Sequence, residues 1–147
     1  MKRTLKIFLM VICLVACMTP AHADADKPIQ VKELPAKAQT ILSQHFKNQK
    51  VALATIETGL LEKNYDVVLN NGTKMEFDKN GNLTEIECKQ DAVPAALIPN
   101  AINTYLQQTY PEYKVRKFEM KRNEYEVELT NGLEITFNKQ FQVIDID

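Results

Sequence analysis

The chain has 147 residues, 45% of them hydrophobic and 25% charged, with a formal net charge of −1. That is the make-up of one globular domain or two very small ones, and it excludes a disordered or low-complexity chain. With 18 Lys+Arg against 19 Asp+Glu and no basic block, it also argues against a nucleic-acid binder or a protein of anionic membrane surfaces.

Residues 1–23 read as a secretory signal peptide. Lys2, Arg3 and Lys6 flank the start of an apolar run that opens at Ile7, and Pro20 precedes the small-x-small triplet Ala21, His22, Ala23. The run is too short for a stable membrane anchor, so no transmembrane helix is expected after cleavage. Cutting after Ala23 removes those three basic residues and no acid, which leaves 15 Lys+Arg against 19 Asp+Glu, a net charge of −4. The product would be periplasmic or secreted. An alternative cut exists, because Leu14, Val15, Ala16 and Cys17 fit a lipobox, and lipidation of Cys17 would give an outer-membrane lipoprotein. Ala-His-Ala after a helix-breaking proline favours the soluble product. That product keeps Cys88 alone and cannot form an internal disulfide, so the domain must stand on its core.

Beyond residue 23 the chain writes one pattern twice, over residues 24–90 and 91–147. Each half opens with a helix. Pro35 and Pro99 suit a first helical turn, and Ala38, Ile41, Leu42, His45 and Phe46 recur at helical spacing, as do Ile102, Tyr105, Leu106 and Tyr110. The helices align at an offset of 64 residues, with Leu34 and Pro35 meeting Ile98 and Pro99. Residues 50–57 and 114–121 then read as first strands. Beyond them the offset drops to 60, so four residues are missing from the second half, between Met120 and Tyr125. An indel there predicts a loop.

The period then becomes two. Tyr65, Val67 and Leu69, followed by Thr73, Met75 and Phe77, point one way; so do Tyr125, Val127 and Leu129, followed by Leu133, Ile135 and Phe137. A two-residue turn at Asn71 and Gly72 would set Leu69 opposite Lys74. A three-residue loop sets it opposite Thr73 and keeps the apolar face whole, which predicts a type I turn with a glycine bulge and φ > 0 at Gly72 and Gly132. At Asn80 and Gly81 a two-residue loop is the consistent choice, pairing Phe77 with Thr84 and Met75 with Ile86. The expected fold is α+β: two tandem helix-plus-four-strand units joined in one antiparallel sheet of about eight strands, with the helices packed on one face.

The recurring Leu/Ile-Pro helix start, the aromatic-x4-Val step and the run Tyr-x-Val-x-Leu-x-Asn-Gly-x5-Phe-x-Lys resemble the PepSY-like, or β-lactamase-inhibitor-like, secreted proteins of Bacteroidetes. The resemblance covers essentially everything after residue 23. It implies a non-enzymatic exported module that binds or inhibits a protein through its exposed sheet face or its loops. The alternative is a structural or envelope-assembly lipoprotein held through Cys17. β-Lactamase inhibitor proteins grip their target with aromatic side chains on that face. Here alternation puts Asp66, Val68, Lys74, Glu76, Glu126, Glu128, Glu134 and Thr136 outward and no aromatic, which points away from lactamase inhibition.

No sequence pattern for catalysis, a metal or a cofactor stands out. His45 is the lone histidine after residue 23 and reads as a packing residue; Cys88 follows Ile86 by two and reads as a small core hydrophobe. Asp78, Asn80 and Asn82 have the opening spacing of a calcium loop but lack its remaining ligands, and read as a hairpin turn. The candidate site is therefore the outer face around Asp66, Lys74, Glu76, Glu126, Glu128 and Glu134, with Lys74 as its main positive offset and a basic protein as the partner its charge would fit.

Overall fold

The computed structural model describes residues 26–59 and 62–147. The proposed signal peptide, its cut after Ala23 and the lipidation alternative at Cys17 lie outside the described residues. Nine strands form one antiparallel sheet in sequential order: β1 (Lys27–Pro28), β2 (Val51–Thr58), β3 (Lys63–Leu69), β4 (Lys74–Phe77), β5 (Leu83–Glu87), β6 (Val115–Met120), β7 (Glu124–Leu129), β8 (Glu134–Asn138) and β9 (Val143–Ile146). Helix α1 (Ala36–His45) lies between β1 and β2 in the chain, and α2 (Asn100–Thr109) between β5 and β6. The ninth strand is the addition to the expected count. It is the two-residue β1, which carries no readable period and pairs Lys27 with Ile56 and Pro28 with Thr55.

The two halves start alike. Single 3-10 turns at Val31–Glu33 and Ala95–Leu97 lead into Leu34 and Ile98, both buried, and then to Pro35 and Pro99 at the helix N-caps. Neither proline caps with its side chain. One turn on, Gln39 donates its side-chain amide to the Leu34 carbonyl at 2.8 Å, and Asn103 donates to the Ile98 carbonyl at 3.1 Å, so the same position ties each helix to its entry turn. Ala38 and Leu42 from α1 and Ile102 and Leu106 from α2 are buried against the sheet's apolar face. That face supplies Val67, Met75, Phe77, Ile86, Phe118, Val127, Ile135 and Phe137, each at most 1% exposed. His45 is half-buried, and Cys88 is 1% exposed with the Thr73 hydroxyl 3.8 Å from its sulfur. Burial pushes the Cys88 thiol pKa up, which suits an inert core thiol better than a nucleophile.

The four-residue difference falls in the hairpin between the first two strands of each half. β2 and β3 pair as far as Thr58 with Lys63, whereas β6 and β7 close at Lys121 and Glu124. The loop at Gly72 is the three-residue form: Leu69 donates to the Thr73 carbonyl and Gly72 to the Leu69 carbonyl, with Gly72 at φ 82°. Gly132 repeats it at φ 85°.

The loop at Asn80 and Gly81 corrects the expectation. It too has three residues, with Asp78 donating to the Asn82 carbonyl, Gly81 donating to the Asp78 carbonyl, and Gly81 at φ 78°. Met75 does face Ile86, but Phe77 pairs with Leu83 rather than Thr84. A register shift after Glu76 makes Thr84 the extra residue. The physical reason is burial. Leu83 and Ile86 are three apart, and only a bulge between them turns both inward. The Asp78 carboxylate holds the turn by accepting from the Asn80 and Asn82 backbone N–H groups and from the Asn82 side chain, at 2.8 to 2.9 Å. Those bonds outweigh the burial that opposes its charge and lower its pKa. The corresponding loop before β9 is the same, with Phe141 held at φ 61° where the first half has glycine.

Candidate functional site: an acidic row across the outer sheet face

Cross-strand pairing brings the predicted outward residues together and shows what they adjoin. One row runs Asp66, Glu76, Glu85, Glu119, Glu126, Thr136, Asp145, each opposite the next on strands β3 to β9. The adjacent row runs Val68, Lys74, Glu87, Lys117, Glu128, Glu134. Directly opposed side chains on neighbouring strands have Cβ atoms about 5 Å apart, so from Asp66 to Glu126 the first row is a line of carboxylates in mutual contact range.

All six predicted face residues lie in these two rows. Sequence reasoning missed the centre of the face on β5 and β6, although Glu85-Ile86-Glu87 and Lys117-Phe118-Glu119 carry the same period-two signal. It also misplaced the positive charge. Lys74 is exposed and makes none of the ion pairs among the described residues. The cations that answer the acids are on and just after β6. Lys117 sits 3.3 Å from Glu85 and 3.4 Å from Glu119. Arg116 bonds Glu128 and lies 3.8 Å from Glu87; Lys121 lies 2.5 Å from Glu126 and 3.9 Å from Glu124. Glu126 and Glu128 are thus engaged inside the sheet face.

Asp66 and Glu76, opposite each other on β3 and β4, have no ion-pair partner among the described residues. Both carboxyls have raised pKa values. For Glu76 the cause is burial first, then the charges of Glu85, Asp66 and Glu119, against the help of Lys117. For Asp66 it is burial, then Asp26 and Glu57, against a hydrogen bond from Thr55. The face therefore has a neutralised half around β6 and an unanswered acidic pair toward β3.

A raised carboxyl pKa makes the ionised pair a cost to the fold. Between the ordinary carboxyl value and the raised one, the native state holds protons that the unfolded chain has released, so stability falls as pH rises through that window. Above it the whole penalty remains. Glu76→Gln should therefore stabilise the protein at neutral pH by about 0.5 kcal/mol, the scale of one cross-strand charge pair, and the gain should vanish at acid pH below the ordinary carboxyl value. Urea midpoints at the two pH values check this. A gain independent of pH, or a loss at neutral pH, would contradict the repulsion.

The comparisons with known proteins agree with this architecture. The family model described as "Putative beta-lactamase-inhibitor-like, PepSY-like" matches residues 63–145, from the start of β3 into β9. A putative periplasmic protein of Bacteroides vulgatus is 53% identical, with 85% of this chain and 98% of that one aligned at a TM-score of 0.82. A putative calcium-regulated periplasmic protein of Bacteroides thetaiotaomicron is 50% identical, with the same coverage and TM-score. A second putative periplasmic protein of Bacteroides vulgatus, described as of unknown function, is 36% identical over 84% of this chain and 99% of that one, at a TM-score of 0.78. No curated protein matches the chain significantly. The chain belongs to the PepSY-like family, and its location is the periplasm, in line with the putative periplasmic description of these relatives. Among the described residues, no helix is long and apolar enough to cross a membrane.

Proposed function

We propose that the protein is a non-enzymatic periplasmic binding module whose outer sheet face takes a basic protein partner. The observation that carries this is the Asp66–Glu76 pair. It stands in a row of acids whose other members are largely neutralised from within, and it is itself raised in pKa and unanswered among the described residues. A lysine or arginine from a partner would relieve that repulsion, so part of the binding energy is already present as strain on the free face. The inhibitor-like family supports a protein as the target, and the absence of aromatic side chains from the two rows favours charge over stacking as the means of recognition.

The test uses Asp66→Lys with Glu76→Lys, which reverses the charge and leaves every residue of the Arg116, Lys117 and Lys121 pairs in place. Wild-type protein immobilised on a resin should retain a basic protein from a native envelope extract at low salt and release it at high salt. The double variant, shown to be folded by circular dichroism, should retain much less of it. Equal retention would move the interface to the hairpin loops around Gly59 and Asn123.

A further inference from the structure

β9 occupies in the second half the place that β5 occupies in the first. Both follow a three-residue loop and a bulge, and they align at the 60-residue offset. Their outer edges differ. β5 is covered by β6, with Ile86 opposite Phe118, Glu85 opposite Glu119 and Glu87 opposite Lys117. Among the described residues no strand covers β9. The consequence is visible in burial: Ile86 is 0% exposed, whereas Ile146, the residue at its position, is 46% exposed, and neighbouring Ile144 is 55% exposed. Glu134 and Asp147 exchange backbone hydrogen bonds at 3.0 Å, so by the alternation of an antiparallel ladder the Ile146 N–H and C=O point away from β8. The opposite edge offers much less. Among the described residues it is β1, two residues long, and one of them is Pro28, which has no N–H to donate.

We propose that the outer edge of β9 captures an extended segment of the partner as a tenth strand. This deepens the function proposed above and rests on it. The chain itself shows the chemistry of the occupant, since β6 in the equivalent position brings Phe118 to Ile86 and Lys117 and Arg116 to Glu85 and Glu87. β9 presents Ile146 with Asp145 and Asp147 in the corresponding positions. The fitting partner is a strand that alternates basic and apolar residues, held by main-chain bonds and chosen by side-chain alternation. A second copy is a poor occupant. Antiparallel pairing of two β9 strands about Ile146 sets Asp145 against Asp147, and like charges directly opposed are destabilising.

The probe is a labelled peptide of residues 113–121, the chain's own β6 segment, titrated into the full protein and followed by anisotropy. Binding is expected, with amide shifts in β9. Ile146→Pro should weaken it about tenfold or more, because the lost N–H faces outward and an edge strand otherwise tolerates proline. If that variant does not fold, a peptide methylated on the Phe118 nitrogen blocks the same ladder and leaves the protein unchanged. Replacing Arg116 and Lys117 of the peptide by Glu should also weaken binding. The proposal is overturned if no binding occurs, if Ile146→Pro binds like wild type, or if Ile146→Pro dissolves a dimer formed without peptide. A natural partner lost by Asp66→Lys with Glu76→Lys but kept by Ile146→Pro would retain the acidic face as the binding surface and exclude the edge.

Discussion

Phe77→Ala and Phe137→Ala should each destabilise the protein by about 3–5 kcal/mol, with the larger loss at Phe137. Both rings are 0% exposed and lie at the same position of the two halves, opposite Tyr65 and Tyr125. Phe137 has an additional contact, since Tyr105 of α2 meets it edge to face at 5.5 Å and 85°. Such a pair adds about 1 kcal/mol beyond area burial. Urea unfolding gives both values. A nearly neutral substitution at either site would show that the two halves do not share one packing plan.

Gly81→Ala should cost about 2–4 kcal/mol and Gly132→Ala only about 1 kcal/mol. Both glycines adopt positive φ, at 78° and 85°, so both substitutions carry the left-handed penalty. They differ in surroundings. A Cβ on Gly81 would come within 2.7 Å of the Pro35 Cβ and 3.1 Å of the Ala38 nitrogen, whereas one on Gly132 would meet nothing within 4 Å. Gly81 is thus where the β4–β5 loop presses on the start of α1. Equal losses at the two sites would mean that the loop and the helix entry are not in contact in solution.

The hairpins β3–β4 and β7–β8 were legible because their apolar residues keep strict alternation, and the same alternation selected a three-residue loop at Gly72 and Gly132. It misled at Gly81, where a bulge breaks the period so that Leu83 and Ile86 can both be buried. β1 was not legible, since Lys27 and Pro28 form a strand only because β2 offers an edge. For the site, the alternation made it legible that the six outward residues share one face of the sheet. Two of the ion pairs were not foreseen, because Arg116 meets Glu87 and Lys117 meets Glu85 only through the β5–β6 junction, whose strands are separated by 27 residues across α2. A reading confined to the two repeated hairpins treats the face as uniformly acidic. Its real character is uneven, with an internally neutralised centre and, at Asp66 and Glu76, an acidic pair without an ion-pair partner among the described residues.

The most direct measurement is the association rate of the captured partner with wild-type protein and with the Asp66→Lys, Glu76→Lys variant, at low and at physiological salt. Recognition by the acidic face predicts fast association with wild type at low salt, a steep fall as salt rises, and a slower, nearly salt-independent rate for the variant. Equal rates for the two proteins at both salt concentrations would contradict it.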